Sequence, residues 1–377
     1  MKIGRIVIFF ITGIFIGCPN QRDFSIAASE NAGGGFAATT TETNSDTIMK
    51  AFNEVFYVKN GDSGYFKSST TGGHHADFWK LAEEIEMVID AFERSGNAAY
   101  KVQIGELMNG FVSHYGSDWT GNHYNDDIMW MCIASLRAYQ ATGNADYRDR
   151  AKSNFDACYA RAWDVTVAGG GMWWTIGNSN KNACVNAPAA IAACFLAQAG
   201  GDSTYTNEAN AIIDWTKSVL SDGHGKIYDS IGKDGRQNYV SFTYNQGTYI
   251  GACNLLGRVA DAAAAANYTM NFLGTVTNGH RILPQYRETG DSAGFNGIFL
   301  RWMSRFMRDR NLQDTYLPWL QANAAAAWNA RWLSDNISWC RWLGPTPANK
   351  MTLQSWSCSP TVVALQVVPP PNAKTQP

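Results

Sequence analysis

The stretch NDDIMWMCIASLRAYQATGNADYRDR, from Asn125 to Arg150, decides the architecture. From Asp127 to Leu136 it is apolar nearly all round, and a helix with no polar face must be enclosed on every side. Thr142-Gly143-Asn144 then supplies a glycine stop followed by an Asn that can cap a new helix, which begins near Asp146. An enclosed helix, a short turn and a second helix make a helical hairpin. The unit recurs downstream. Pro188-Ala-Ala-Ile-Ala-Ala-Cys-Phe-Leu-Ala is again apolar all round, Gly200-Gly201-Asp202 is the turn, and the next segment gathers Tyr205, Ala209, Ile212, Ile213, Val219 and Leu220 on one face, as an outer helix does.

Working outward, the chain shows about twelve helical segments and little of the period-two alternation of a large sheet. They begin near Asp46, Asp77, Ala98, Asp127, Asp146, Ala187, Thr204, Asn245, Asn267, Ser292, Asp314 and Met351. Connections into odd-numbered segments are short turns such as Ser95-Gly96-Asn97. Those into even-numbered ones are long, aromatic and polar: FKSSTTGGHH, SDWTGNHYN, VAGGGMWWTIGNSNKNACVN, QNYVSFTY, QYRETGDS and SWCRWLGPT. The expected fold is an all-α toroid, an (α/α)6 barrel of six inner and six outer helices. Its long loops gather at the N-terminal ends of the inner helices, where a site is expected.

The 377 residues are 45% hydrophobic, 13% aromatic and 16% charged, with a net charge of -2, so no basic footprint for nucleic acid exists. Lys2 and Arg5 precede an apolar run from Ile6 to Ile16, and residues 1–18 read as a signal peptide. Phe15-Ile16-Gly17-Cys18 resembles a lipobox. Export therefore ends either in a lipid anchor through Cys18 or in free secretion after cleavage nearer Ala27-Ala28. Residues 19–45, with Gly33-Gly34-Gly35, read as a flexible linker, 46–366 as the helical domain and 367–377 as a disordered tail too polar for a C-terminal lipid-anchor signal. Of the eight cysteines, Cys132, Cys194 and Cys253 read as buried thiols. Cys158, Cys184, Cys340 and Cys358 are disulfide candidates with partners unassigned.

Three constellations could carry chemistry. In Asn122-His123-Tyr124-Asn125-Asp126-Asp127, two adjacent carboxylates repel, so one pKa should rise, giving an acid beside a base or nucleophile. Straddling the helix start, they could hold their carboxyls about 5 Å apart, the separation of retaining glycosidases. The competing interpretation is a capping Asp followed by a first-turn Asp. The second, Gly169-Gly170-Gly171-Met172-Trp173-Trp174 with Lys181, Asn182 and Asn186, joins rings to hydrogen-bonding groups, as sugars require; the alternative is core tryptophans under a loop. The third is Thr243-Tyr244-Asn245-Gln246-Gly247. All three fall on one rim of the toroid. His74-His75 with Asp77 lacks metal-site spacing, the GxSxG match Gly290-Asp291-Ser292-Ala293-Gly294 follows no strand pattern and so makes no nucleophile elbow, and GxGxxG and P-loop patterns are absent, so neither metal nor cofactor is expected. Glu83-Glu84-Glu86 reads as a solvated helix face.

The motifs NDDIMWMCIASLRAYQATGN, GGGMWWTIGNSNKNACVNAPAAIAA, YNQGTYIGACNLL and GFNGIFLRWM resemble glycoside hydrolase family 76 in order and spacing, over about residues 46 to 360. The resemblance implies an (α/α)6 barrel with a retaining mechanism, acting as an endo-α-1,6-mannanase or as a related cell-wall transglycosidase. It implies Asp126 as nucleophile and Asp127 as general acid/base, with Trp173, Trp174, Lys181, Asn182, Asn186, Tyr244, Asn245 and Gln246 along the cleft. The implied partner is an α-mannan or manno-oligosaccharide, met outside the cell by a monomer. Two departures stand out: Trp130-Met131 where two aromatic residues are expected, and Asn296 where a Lys is expected. A carbohydrate-binding protein with the aspartates as caps is the alternative from another class.

Overall fold

The computed structural model describes residues 43–348 and 353–371. The expected signal peptide, Cys18, residues 19–42 of the linker and most of the tail lie outside the described residues. Twelve helices follow one another: α1 (Asn44–Phe56), α2 (Phe78–Ser95), α3 (Ala98–Tyr115), α4 (Asn125–Thr142), α5 (Ala145–Ala162), α6 (Ala183–Gly200), α7 (Ser203–Val219), α8 (Thr243–Leu255), α9 (Val259–Phe272), α10 (Phe295–Asp309), α11 (Gln313–Asn329) and α12 (Ser355–Val367). The even-numbered helices close a ring: α2 packs on α4, α4 on α6, α6 on α8, α8 on α10, α10 on α12, and α12 back on α2. The odd-numbered helices lie outside it, α5 against α4, α7 against α6 and α9 against α8. This is the expected (α/α)6 barrel.

Burial explains the sorting. All of α8 from Thr243 to Asn254 is buried, as is α6 from Ala183 to Leu196. By contrast α5 buries Tyr147, Ala151, Asn154, Phe155, Cys158 and Ala162, a single stripe at three- and four-residue spacing, and turns its charges outward. One device makes three of the short turns. Gly96, Gly143 and Gly201 end α2, α4 and α6 with φ of 65°, 79° and 69°, and Asn97, Asn144 and Asp202 then accept from the backbone of Ala99, Asp146 and Thr204 to start the next helix.

Because each outer helix returns antiparallel, the N-termini of the inner helices share one rim. The long connections there carry the only strands among the described residues: hairpin β1–β2 (Tyr57–Asn60, Ser63–Phe66), the antiparallel sheet β3–β4–β5 (Asn180–Asn182, Ser230–Gly232, Gln237–Asn238) and hairpin β6–β7 (Thr275–Thr277, His280–Ile282).

Three expectations are corrected. The ninth helix begins at Val259, not near Asn267, because the run Ala262–Ala266 has the highest helix propensity of any residue type and extends the helix back to the turn Leu256-Gly257-Arg258. Glu83, Glu84 and Glu86 are buried rather than solvated, since α2 turns them into the barrel interior. All seven described cysteines are free and buried, so Cys158, Cys184, Cys340 and Cys358 form no disulfide. The Cys158 thiol donates to Asn125 Oδ1 (3.4 Å) and that of Cys340 to the Arg287 carbonyl (3.5 Å).

Candidate active site

Asn125 fixes the start of α4. It is buried, its Nδ2 donates to the Trp173 carbonyl (2.8 Å), its backbone N–H donates to the Trp174 carbonyl (2.8 Å), and its Oδ1 accepts from Arg161 Nε (2.7 Å). Tyr124 is the N-cap residue and makes no side-chain cap. Asp126 and Asp127 therefore do not straddle the helix start; both sit inside its first turn, and neither caps it. Consecutive helical residues point about 100° apart, which sends the two carboxyls toward different walls of one pocket. Asp126 faces Cys184, Trp174 and Tyr244, whereas Asp127 faces Asn122, Asp77, Asp291 and Lys80.

That pocket holds about 600 Å³, with rings from Trp79, Tyr124, Trp130, Trp174, Tyr244 and Phe295 in its walls. Between the rings stand Asn180, Asn182, Ser230 and Asn238 and five carboxylates: Asp77, Asp126, Asp127, Asp229 and Asp291. Burial and the neighbouring Asp127 push the Asp126 carboxyl well above the usual carboxylate range, and its Oδ1 is buried without a hydrogen-bond partner. Burial likewise lifts Asp127 to about 6, against the Asn122 Nδ2 donor at 3.0 Å. The N-terminus of α4 supplies the positive end of a helix dipole that steadies one negative charge on the pair. Burial raises both carboxyls, and Asp127 raises Asp126 further, which favours a singly protonated pair, the state an acid and a nucleophile need together.

Asp229 is raised by burial, with Asn238 Nδ2 (3.0 Å) and Asn245 Nδ2 (3.5 Å) donating to it. Lys80 Nζ is held between Asp77 Oδ2 (2.6 Å) and Asp291 Oδ1 (3.3 Å). Sequence reasoning missed Trp79, Asp229 and Asp291 and used Asp77 only as a helix start and to discount a metal. The available signal was position, since Asp77 and Trp79 stand at the start of an inner helix and Asp229 and Asp291 in the connections leading to one.

Of the sequence-selected ligand candidates, Trp174, Asn182 and Tyr244 line the pocket. Asn182 is 8% exposed, and its Oδ1 has no partner. The others stand behind the wall. Lys181 is fully buried and spends its ammonium on the carbonyls of Asp164, Val167 and Gly170, with Trp173 beneath it at 4.8 Å. Asn186 bonds both polar backbone atoms of Met172. Gln246 accepts from Ile227 N (2.7 Å) and donates to the Gly225 carbonyl (2.8 Å), and Asn245 reaches the site only through Asp229. Trp173, Lys181, Asn186 and Gln246 are thus staples of the two pocket loops, because buried backbone polar groups there need internal partners. Asn296 is also structural, accepting from Thr243 Oγ1 (3.0 Å) and donating to the Pro284 carbonyl (2.9 Å).

The sequence profile of Glycosyl hydrolase family 76 matches residues 40–370. The chain belongs to that family. It is therefore a glycoside hydrolase. The inactive variant of the α-1,6-mannanase GH76A of Salegentibacter sp. HEL1_6, in which two consecutive aspartates are replaced by asparagine, has been solved with α-1,6-mannotriose; it is 25% identical, with 86% of this chain and 97% of that one covered and a TM-score of 0.77. The family 76 mannosidase Bt3792 of Bacteroides thetaiotaomicron, at 18% identity, shares the fold over 86% of this chain and 96% of its own, TM-score 0.72. A Schizosaccharomyces pombe protein named "Putative mannan endo-1,6-alpha-mannosidase" is 23% identical over 321 residues, 76% of this chain and 70% of that protein.

Proposed function

We propose that this glycoside hydrolase cleaves internal α-1,6 linkages of a mannan backbone with retention of configuration, Asp126 acting as nucleophile and Asp127 as general acid/base. The observation that carries the reading is the pair itself: two carboxyls on one helical turn, aimed at different walls of an aromatic pocket, both raised by burial. The Salegentibacter mannanase, inactive without its two consecutive aspartates, supports it.

In the proposed reaction Asp127 gives its proton to the glycosidic oxygen while the Asp126 carboxylate attacks the anomeric carbon, and the C–O bond to the leaving chain breaks. Water then attacks the glycosyl ester, gives its proton to Asp127 and frees Asp126. Hydroxyl donors of the bound sugar meet acceptors already in place at Asn182 Oδ1 and Asp229. A polysaccharide substrate also fits an exported protein, whether secreted or anchored through Cys18.

Incubation of the purified protein with linear α-1,6-mannan, followed by sizing of the products, tests the proposal. Shorter oligosaccharides of retained anomeric configuration are expected; longer chains would identify a transglycosidase, and bound but uncut polymer a binding protein. Asp126→Asn and Asp127→Asn should each lose about a thousandfold or more in kcat. Full activity in either variant would remove that residue from the mechanism.

A further inference from the structure

Large apolar side chains left in solvent are informative when they cluster. Of the eleven exposed among the described residues, nine lie on the catalytic rim; the exceptions, Val102 and Val259, lie near the starts of outer helices at the opposite rim. Two ring pairs stand beside the pocket, on the α8–α9 side. Tyr239 is 57% exposed and follows Asn238 of the pocket wall; its ring meets that of Tyr228 edge-on at 4.9 Å, and Tyr228 precedes Asp229. Phe272, 68% exposed, closes α9 at this same rim, with the Tyr268 ring 5.3 Å away.

These two pairs are mounted together. Gly225 sits so tightly on α9 that a Cβ there would lie 2.2 Å from the Ala264 carbonyl, and Gln246 Nε2 ties the Gly225 and Ala265 carbonyls to α8. Ala264, Tyr268 and Phe272 are spaced by four residues and share one helix face, so the face that meets the Tyr228 loop continues into the two rings. Lys226 Nζ lies over the Tyr228 ring at 5.7 Å, helping to hold its orientation.

We infer that Tyr239 and Phe272, braced by Tyr228 and Tyr268, form a platform that binds the polysaccharide chain beyond the pocket, by stacking against the C–H faces of hexopyranose units. The inference rests on the proposed polysaccharide substrate. A pocket of about 600 Å³ encloses only a few sugar units, whereas a platform continuous with its wall can hold the remainder of a long chain. Platform contacts lie outside the bond being broken, so they act on KM for the polymer and leave kcat alone.

The test compares wild type with Tyr239→Ala/Phe272→Ala on linear α-1,6-mannan and on α-1,6-mannotetraose. The double variant should lose about five- to tenfold in kcat/KM on the polymer, carried by KM, and less than twofold on the tetrasaccharide. Tyr239→Phe, which keeps the ring, should behave as wild type. Equal losses on both substrates, or an unchanged polymer KM, would overturn the platform while wild-type cleavage left the mannanase reading intact. A wild-type enzyme inert on both substrates would instead refute that reading and the platform with it. Both side chains are exposed, and an unchanged melting temperature confirms that the double variant is folded.

Discussion

In the proposed mechanism the acidic limb of the pH profile belongs to the aspartate pair. When pH falls through about 6 the second carboxyl takes up a proton and no nucleophile remains, so kcat/KM should fall with an apparent pKa near 6. Asn122 Nδ2 donates to the Asp127 carboxyl and lowers its pKa. Asn122→Ala removes that donor, so the limb should move to higher pH and activity at pH 6 should fall more than activity at pH 8. A kcat/KM profile for both proteins checks the sign; a limb that stays in place would assign the titration to another group, with the buried Asp229 next in line. At this scale the adjacency of the two aspartates is legible in the sequence, but not how they stand. Their place inside the first turn depends on Asn125 being pinned by Trp173 and Trp174, a contact across 48 residues that no local pattern contains.

Among the elements, the loop before α6 shows what a buried charge does when it binds no substrate. Lys181 gathers three carbonyls of residues 164–170 and the Asp164 carboxylate (3.2 Å), which fixes the path of the chain into Trp173 and Trp174. Lys181→Met leaves those carbonyls buried without a donor and should cost about 1.5–3 kcal/mol, read in denaturant titration. The Trp174 wall should loosen with it, raising KM more than it lowers kcat; an unchanged stability would refute the staple. Lys181 and Gln246 looked like ligands in sequence because loop staples and sugar ligands are the same residue types. Exposure separates them, and exposure is a tertiary property. The inner helices were legible for the opposite reason, since α4 and α6 lack a polar face and have only one kind of place to go. The start of α9 was not, because an alanine run carries no periodic signal and Asn267 imitates a cap.

The whole barrel is also held from inside, by charges that the sequence presents as a solvated face. Glu83, Glu86 and Asp90 fall on one side of α2 by their three- and four-residue spacing. Arg137 of α4 donates to Glu86 (2.9 Å) and Asp90 (2.8 Å), and Arg301 of α10 bonds Asp90 (2.8 Å) and Glu83. Since α12 separates α10 from α2 in the ring, Arg301 links helices that are not ring neighbours. Arg301→Met would strand buried carboxylates and should cost about 3–5 kcal/mol. Glu93 also reaches Arg137 (3.0 Å), so the carboxyls outnumber the two guanidiniums; burial lifts Glu83 to about 8, and its Oε1 has no hydrogen-bond partner. Glu84, also buried, is lifted by burial to about 8 as well, against the Ser355 hydroxyl. A carboxyl whose pKa rises from 4.5 to about 8 on folding favours the folded state fully only below 4.5, and that contribution is lost as pH rises toward 8. Unfolding free energy should therefore decline between about pH 5 and pH 8, and Glu83→Gln/Glu84→Gln should flatten the decline. Denaturant titrations of both proteins across that range decide it: parallel curves would place the titrating group elsewhere in the molecule.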